Sequence, residues 1–229
     1  MKIGIIGAMS VEVDALKAKI ENLKIHSVSG IDFFEGTLFG NSVIVAKCGI
    51  GKVFAAICAQ SMILRFGVTH IINTGVGGTL TDKLSILDVA IADGVVQHDM
   101  DTSPIGDPLG LISGINKVIL PTSEHLAKIA KSAADTHKIH AECGIIASGD
   151  QFISGIDRKN FIHETFDAIC CEMEGAAIGH VCYVNGVECL IVRAISDSAT
   201  GEAEMEYPEM VVKAAAQSQK MIEEILKNI

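Results

Sequence analysis

The chain has 229 residues, of which 49% are hydrophobic, and a formal net charge of -10 at pH 7. That length and apolar content suffice for a substantial buried core in a single domain, 1–229, and four Pro without any low-complexity run leave no linker to divide it. With 18 Lys and Arg scattered among 28 Asp and Glu there is no phosphate-binding surface, which argues against nucleic acid as a partner.

No apolar run approaches the roughly 20 residues that span a bilayer, and no charged segment leads into an apolar one with a cleavage site. The expected location is therefore the cytoplasm, with no membrane partner. Seven Cys, at positions 48, 58, 143, 170, 171, 182 and 189, have no C-x-x-C spacing and mostly sit in apolar runs. Buried, reduced thiols are expected in preference to a metal site or a disulfide framework.

Lys2 to Gly7 (KIGIIG) predicts a buried strand, and Ser10 is placed to cap a helix from Val11 to Asn22. Glu12 then falls in the first turn, where a carboxylate complements the helix dipole; its position just after strand one suits a functional site equally well. Asp32 to Phe39 and Ser42 to Cys48 predict a hairpin around Gly40-Asn41, followed by GIGK and an apolar helix from Val53 to Phe66. Thr69 to Thr74 predicts a buried strand ending in a glycine-rich loop, Gly75-Val76-Gly77-Gly78. Neither glycine cluster fits a nucleotide motif: Ala46 and Val53 break a P-loop, and Leu80 breaks a dinucleotide fingerprint. The glycines still permit close backbone approach of a ligand.

Leu87 to His98 predicts a strand, and Asp99 to Gly114, rich in Asp, Pro and Gly, a loop. His98, Asp99 and Asp101 lack a fourth partner at familiar metal-ligand spacing, so turn and surface roles account for them and no metal is expected. An amphipathic helix over Ser123 to His137 precedes a strand over Ala141 to Ser148, which leads into Gly149-Asp150-Gln151-Phe152-Ile153. Phe152 suits a core position or a ligand platform.

Ala168 to Glu174 predicts a strand ending in Glu172 and Glu174, which period-two geometry puts on one sheet face. A helix from Ala176 to Val184 stops at Asn185-Gly186, and Cys189 to Ile195, aliphatic apart from Arg193, predicts a strand buried on both faces running into Ser196-Asp197. If these two strands are parallel, Glu172, Glu174, Arg193, Ser196 and Asp197 line one crevice outside their carboxyl ends. A helix from about Pro208 to Leu226 closes the chain. Strands alternating with helices predict a layered α/β domain with a mostly parallel sheet.

GIIGAMSVEV at 4–13, GIGK at 49–52, INTG at 72–75, SGD at 148–150, CEMEGAAIGHV at 171–181 and RAISD at 193–197 together resemble the bacterial 5′-methylthioadenosine/S-adenosylhomocysteine nucleosidases nearly end to end. The resemblance implies the nucleoside phosphorylase-like fold, a three-layer α/β/α sandwich with a mixed central sheet, in a homodimer. It also implies hydrolysis of the bond between adenine and a thio-substituted ribose, in methionine salvage and methyl-cycle turnover, without metal or organic cofactor. Carried over by residue, it implies that Glu12 activates the attacking water with help from Arg193. Met173 and Glu174 would hold the ribose, and Asp197, aided by Ser196, would protonate N7 of adenine. Phe152 would stack on the base, the Ile153 backbone would read its edge, and Gly78 would let the backbone approach the ligand. Met9 and Ile50 would line the sugar and thioether pocket, with Tyr207 near the alkylthio group and a partner's loop after His98 completing it. The chain departs from the pattern at Val76, where several relatives carry Ser, and in the loop 99–114.

The implied chemistry fits the residue types. An oxocarbenium-like sugar forms as the base leaves, so one carboxylic acid can protonate the base while a second carboxyl, as carboxylate, activates water, by analogy with inverting glycoside hydrolysis. Phosphorolysis would require cations for its anionic nucleophile, where this chain has AMSVE at 8–12. Hydrolysis of aminodeoxyfutalosine and non-catalytic nucleoside binding are the remaining alternatives; the second would need neither Glu12 nor a proton donor at 197.

Overall fold

The structure, a computed structural model, describes residues 1–199 and 203–229, with side chains at all of these except 203–206. Ten strands form one sheet: β1 (Ile3–Gly7), β2 (Glu21–Val28), β3 (Ile31–Leu38), β4 (Asn41–Lys47), β5 (His70–Thr79), β6 (Val89–Gln97), β7 (Ile119–Pro121), β8 (Ala141–Ser148), β9 (Ala168–Glu172) and β10 (Glu188–Asp197). The helices are α1 (Ser10–Lys17), α2 (Lys52–Phe66), α3 (Glu124–Thr136), α4 (Ile156–Phe166), α5 (Gly175–Asn185) and α6 (Ala203–Asn228).

Strand order runs β2-β3-β4-β1-β5 and continues through β10, β6, β8 and β9, which pairs back onto β5. Five strands therefore close into a ring. Pairings of β1 with β4 and β5, of β5 with β10, and of β8 with β6 and β9 are parallel; the remaining five are antiparallel. The sheet is mixed, as the family resemblance implied, and less parallel than the strand-helix alternation alone suggested.

Helices α2 and α5 bury Ala55, Cys58, Met62, Ala176, Ile178 and Cys182 against one face of the sheet. On the other, α1, α3 and α6 bury Leu16, Leu126, Ala130, Met221 and Ile225. Helix α4 packs Ile162 and Phe166 with β8 and β9. The result is a three-layer α/β/α arrangement.

Several elements differ from the sequence reading, each for a local reason. Helix α1 is capped at Met9 and stops at Lys17, because Glu21 onward pairs with β3. Strand β2 was missed: nearly all of it is exposed, so it has no alternation to read. Gly75, Gly77 and Gly78 form no loop; they are buried in the body of β5, with β10 paired alongside and β9 joining at Gly78. Strand β9 ends at Glu172, and Glu174 is the N-cap of α5, so the two carboxylates do not share a strand face. β9 and β10 are neither adjacent nor parallel; β5 lies between them, antiparallel to one and parallel to the other. Helix α4 was not anticipated, and α6 begins before Pro208, which lies within it.

Six of the seven thiols are buried and free; Cys143 is free and exposed. Asp99 pairs with Lys52 and Asp101 accepts from the Ser103 N–H and hydroxyl, so the two acids considered beside His98 have local partners. Among the described residues no helix is long and apolar enough to cross a membrane.

Candidate active site

The site starts at the end of β1. Glu12 is the third residue of α1, and its side chain folds back as the acceptor for the helix start: Oε2 takes the Ala8 N–H at 2.7 Å and the Met9 N–H at 2.9 Å. Oε1 accepts from Val76 N–H at 3.2 Å, across on β5. Burial raises the Glu12 pKa above its ordinary value, against the opposing pull of Arg193 and of those three backbone N–H groups. A carboxyl so held is fixed in direction and made more basic, which suits proton abstraction.

The glycines of β5 explain how acids fit beside a central strand. A Cβ on Gly75 would come within 2.6 Å of Glu12 Oε1, and one on Gly78 within 2.5 Å of Asp197 Oδ2. Both carboxyls thus lie flat on the strand backbone, and a methyl at either position would push one aside. Asp197 is the last residue of β10, where a register shift after Ile195 sets it opposite Gly78. Its Oδ1 accepts from Ser196 Oγ at 2.9 Å and its Oδ2 from Lys159 Nζ at 2.9 Å.

Between these two acids lies a buried ionic cluster. Glu172 accepts the Glu174 N–H at 3.0 Å, the Gly175 N–H at 2.8 Å, the Ser148 hydroxyl and the Arg193 guanidinium. Arg193 also donates to Asn73 Oδ1 and, at 3.0 Å, to the Val192 carbonyl, while Glu174 Oε2 stands 3.9 Å from it. Glu174 Oε1 accepts the Gly51 N–H at 2.8 Å, so the GIGK glycine positions a carboxylate. Burial and the neighbouring Glu172 push the Glu174 pKa up to about 7. Lys52 ties the same loop to its surroundings, with Nζ 2.6 Å from Asp99 and N–H 2.8 Å from Asp150 Oδ1.

These groups surround a cavity of about 290 Å³. Its wall includes Glu12, Asp197, Phe152, Ile153, Met173, Glu174, Ser196, Met9, Ile50, Gly78 and Tyr207. Eleven of the twelve residues singled out from sequence are therefore brought together. Arg193, expected beside the water, is not on the wall; it lies fully buried behind Glu172 and Glu174 as their counter-ion. Val76, the position where the chain departs from the family pattern, is also on this wall. The mouth is aromatic and soft: Phe152 meets Tyr207 edge-on at 5.4 Å, and the Tyr207 hydroxyl reaches Met9 Sδ at 3.4 Å. No residue of the loop 99–114 reaches this wall.

Sequence reasoning missed Lys159, Ser148 and Asn73 and undervalued Glu172. Lys159 was hidden with α4 itself, although its i, i+3, i+7 spacing with Ile162 and Phe166 puts a charge on a buried helix face, which is the signal to look for.

Residues 2–227 match the phosphorylase superfamily. The chain is 40% identical over 228 residues to the 5′-methylthioadenosine/S-adenosylhomocysteine nucleosidase of Staphylococcus saprophyticus, covering 99% of this chain and 100% of that protein. It is 38% identical over 238 residues to the aminodeoxyfutalosine nucleosidase of Helicobacter pylori, covering 100% and 99%. The 5′-methylthioadenosine/S-adenosylhomocysteine nucleosidase of Neisseria meningitidis, solved in complex with methylthio-immucillin-A, superposes with a TM-score of 0.95 at 34% identity, covering 100% of this chain and 99% of that one. With the ring of strands, the carboxyl-lined cavity and full-length identity in agreement, the chain belongs to the phosphorylase superfamily and, within it, to the 5′-methylthioadenosine/S-adenosylhomocysteine nucleosidase family.

Proposed function

We propose that this protein hydrolyses the N-glycosidic bond of 5′-methylthioadenosine and S-adenosylhomocysteine, and that of 5′-deoxyadenosine, to adenine and the free sugar. One observation carries the choice of water over phosphate. The cavity wall holds four carboxyl groups, Glu12, Glu172, Glu174 and Asp197, and among the described residues no Lys, Arg or His. A phosphate dianion would face carboxyl groups with no cationic side chain on the wall to bind it, whereas water needs only a base.

In this reading Phe152 stacks on adenine, the Ile153 backbone meets its edge, and Met173 with Glu174 holds the ribose hydroxyls. Asp197 gives a proton to N7 as the glycosidic electron pair moves onto the base. Glu12 takes a proton from the water whose oxygen bonds the anomeric carbon. Arg193 acts from behind, pairing with Glu172, which in turn fixes the start of α5 and the backbone of Glu174. Met9, Ile50 and Tyr207 give the 5′ substituent an apolar, polarizable wall suited to a thioether.

The test is product analysis. Free thioribose and adenine, formed at a rate independent of added phosphate, are expected; sugar 1-phosphate with phosphate-dependent turnover would mean phosphorolysis. Aminodeoxyfutalosine belongs in the same assay, because the Helicobacter relative carries that name. Turnover of that compound alone would reassign the substrate, and binding without release of adenine from any of the nucleosides would leave a non-catalytic module.

The same reading makes the chain a cytoplasmic homodimer working in methionine salvage and methyl-cycle turnover. Free, unbridged thiols fit a reducing compartment. An apolar stripe of Val53, Phe54, Ile57 and Leu64 lies exposed on α2, next to exposed Ile50 on the cavity wall. The loop 99–114 is anchored by buried Ile112 while Ile105 is 83% exposed, leaving its tip available to a second copy. Light scattering is expected to give twice 24.2 kDa, with activity falling on dilution; a fully active monomer would contradict it.

A further inference from the structure

Lys159 is among the largest fully buried side chains, yet it does not touch the cavity. Lysine is rarely buried unless paired. Here it sits on α4 with Ile162 and Phe166 on the same inward face, a position an apolar residue would fill at no electrostatic cost. Its ammonium donates to Asp197 Oδ2 at 2.9 Å and to the carbonyl of Ser198, the residue that follows the acid. Oδ1 of Asp197 is held by Ser196, and Gly78 lies against the carboxyl, so the group is gripped from three sides. Helix α4 also begins three residues after Ile153, on the segment that carries Phe152, so one element joins the base-facing loop to the acid.

We propose that Lys159 is a positioning residue for leaving-group protonation, acting through Asp197. The inference rests on the reading of Asp197 as the proton donor. As the glycosidic bond breaks, its electron pair passes to the base and the proton leaves Asp197 for the base nitrogen. The negative charge left on the carboxyl then appears 2.9 Å from a buried, fixed ammonium, where a preorganised charge acts with little screening. Water meanwhile bonds the anomeric carbon and its proton passes to Glu12, so atoms and charge balance without any other reactant. Val76 offers no hydroxyl, and among the described contacts Lys159 donates to one oxygen of the acid and Ser196 to the other.

The experiment compares Lys159→Met with the native enzyme on methylthioadenosine and on a ribosyl compound whose leaving group is 4-nitrophenolate, which departs without a proton. On methylthioadenosine a fall in kcat of about 10²-fold or more is expected, the scale of losing one preorganised electrostatic donor, with KM changed only a few-fold. On the nitrophenolate compound the loss should stay within about 5-fold. In an Asp197→Asn background Lys159→Met should cost nothing further, since it acts through that carboxyl. Equal losses on both substrates, or a full additional loss in the Asn background, would make Lys159 a structural residue and overturn the proposal. If Asp197→Asn is itself as slow on nitrophenolate as on adenine, the acid reading fails; if Asp197→Asn is rescued and Lys159→Met is not, only the role of Lys159 fails. Should Lys159→Met not fold by circular dichroism, Lys159→Gln keeps a donor toward Oδ2 without the charge and carries the same comparison.

Discussion

Asp197→Asn and Glu12→Gln are each expected to slow adenine release by about 10²- to 10⁴-fold, the usual contribution of general acid or base catalysis, or roughly 3 to 5 kcal/mol of barrier. Adenine substrates alone cannot tell the two roles apart. A leaving group stable as an anion needs no proton, so it should restore most of the activity of Asp197→Asn. Glu12→Gln should stay slow on the same compound, because water needs its base whatever departs. Equal rescue of both, or of neither, would show the roles wrongly assigned even with the reaction correct. Affinity for a substrate analogue has to be measured alongside, since weakened binding imitates lost chemistry in kcat/KM. Asp197→Asn also leaves the Lys159 ammonium without its counter-charge, so folding of that variant must be checked before its rate is read.

The second large effect concerns stability. Arg193 is fully buried and faces Glu172 and Glu174, with Glu12 close enough to feel its charge. Arg193→Met should therefore strand buried carboxylates and cost about 3 to 5 kcal/mol, the usual result of removing one partner of a buried pair. Urea unfolding followed by circular dichroism measures this directly. Pairing the change with Glu172→Gln should recover part of the loss, because the second substitution removes the stranded charge. A single-variant cost below about 1 kcal/mol would mean that the cluster is effectively solvated and that the burial of these side chains carries little energetic weight.

Much of the site was legible in the sequence because its carboxyls stand beside strand ends and helix starts, where local patterns are strong. Glu12 follows β1 directly, and Asp197 ends the aliphatic run of β10. The glycines of β5 were read as a loop because Gly disfavours strands; their reason is tertiary, since a Cβ would collide with Glu12 or Asp197. Glu172 and Glu174 are two apart in sequence, but the chain turns between them, and one becomes an anchor for the other's backbone. Edge strand β2 carries no burial pattern, and the grip of Lys159 on Asp197 spans two elements that no spacing rule connects.

The ring closed by β5 and β10 bears on how the molecule is assembled. Gly75 pairs with Arg193, and Gly78 with Asp197, so these contacts join early and late parts of the chain. Such non-local pairing is entropically expensive to initiate, and topologies that depend on it fold slowly. The first hairpins and the α2 turn can form from neighbouring residues, but β5 has no second wall until β10 arrives. Catalytic competence is thus a late event of folding: during renaturation, helical signal should return ahead of turnover, and the interval between them times the closing of the ring.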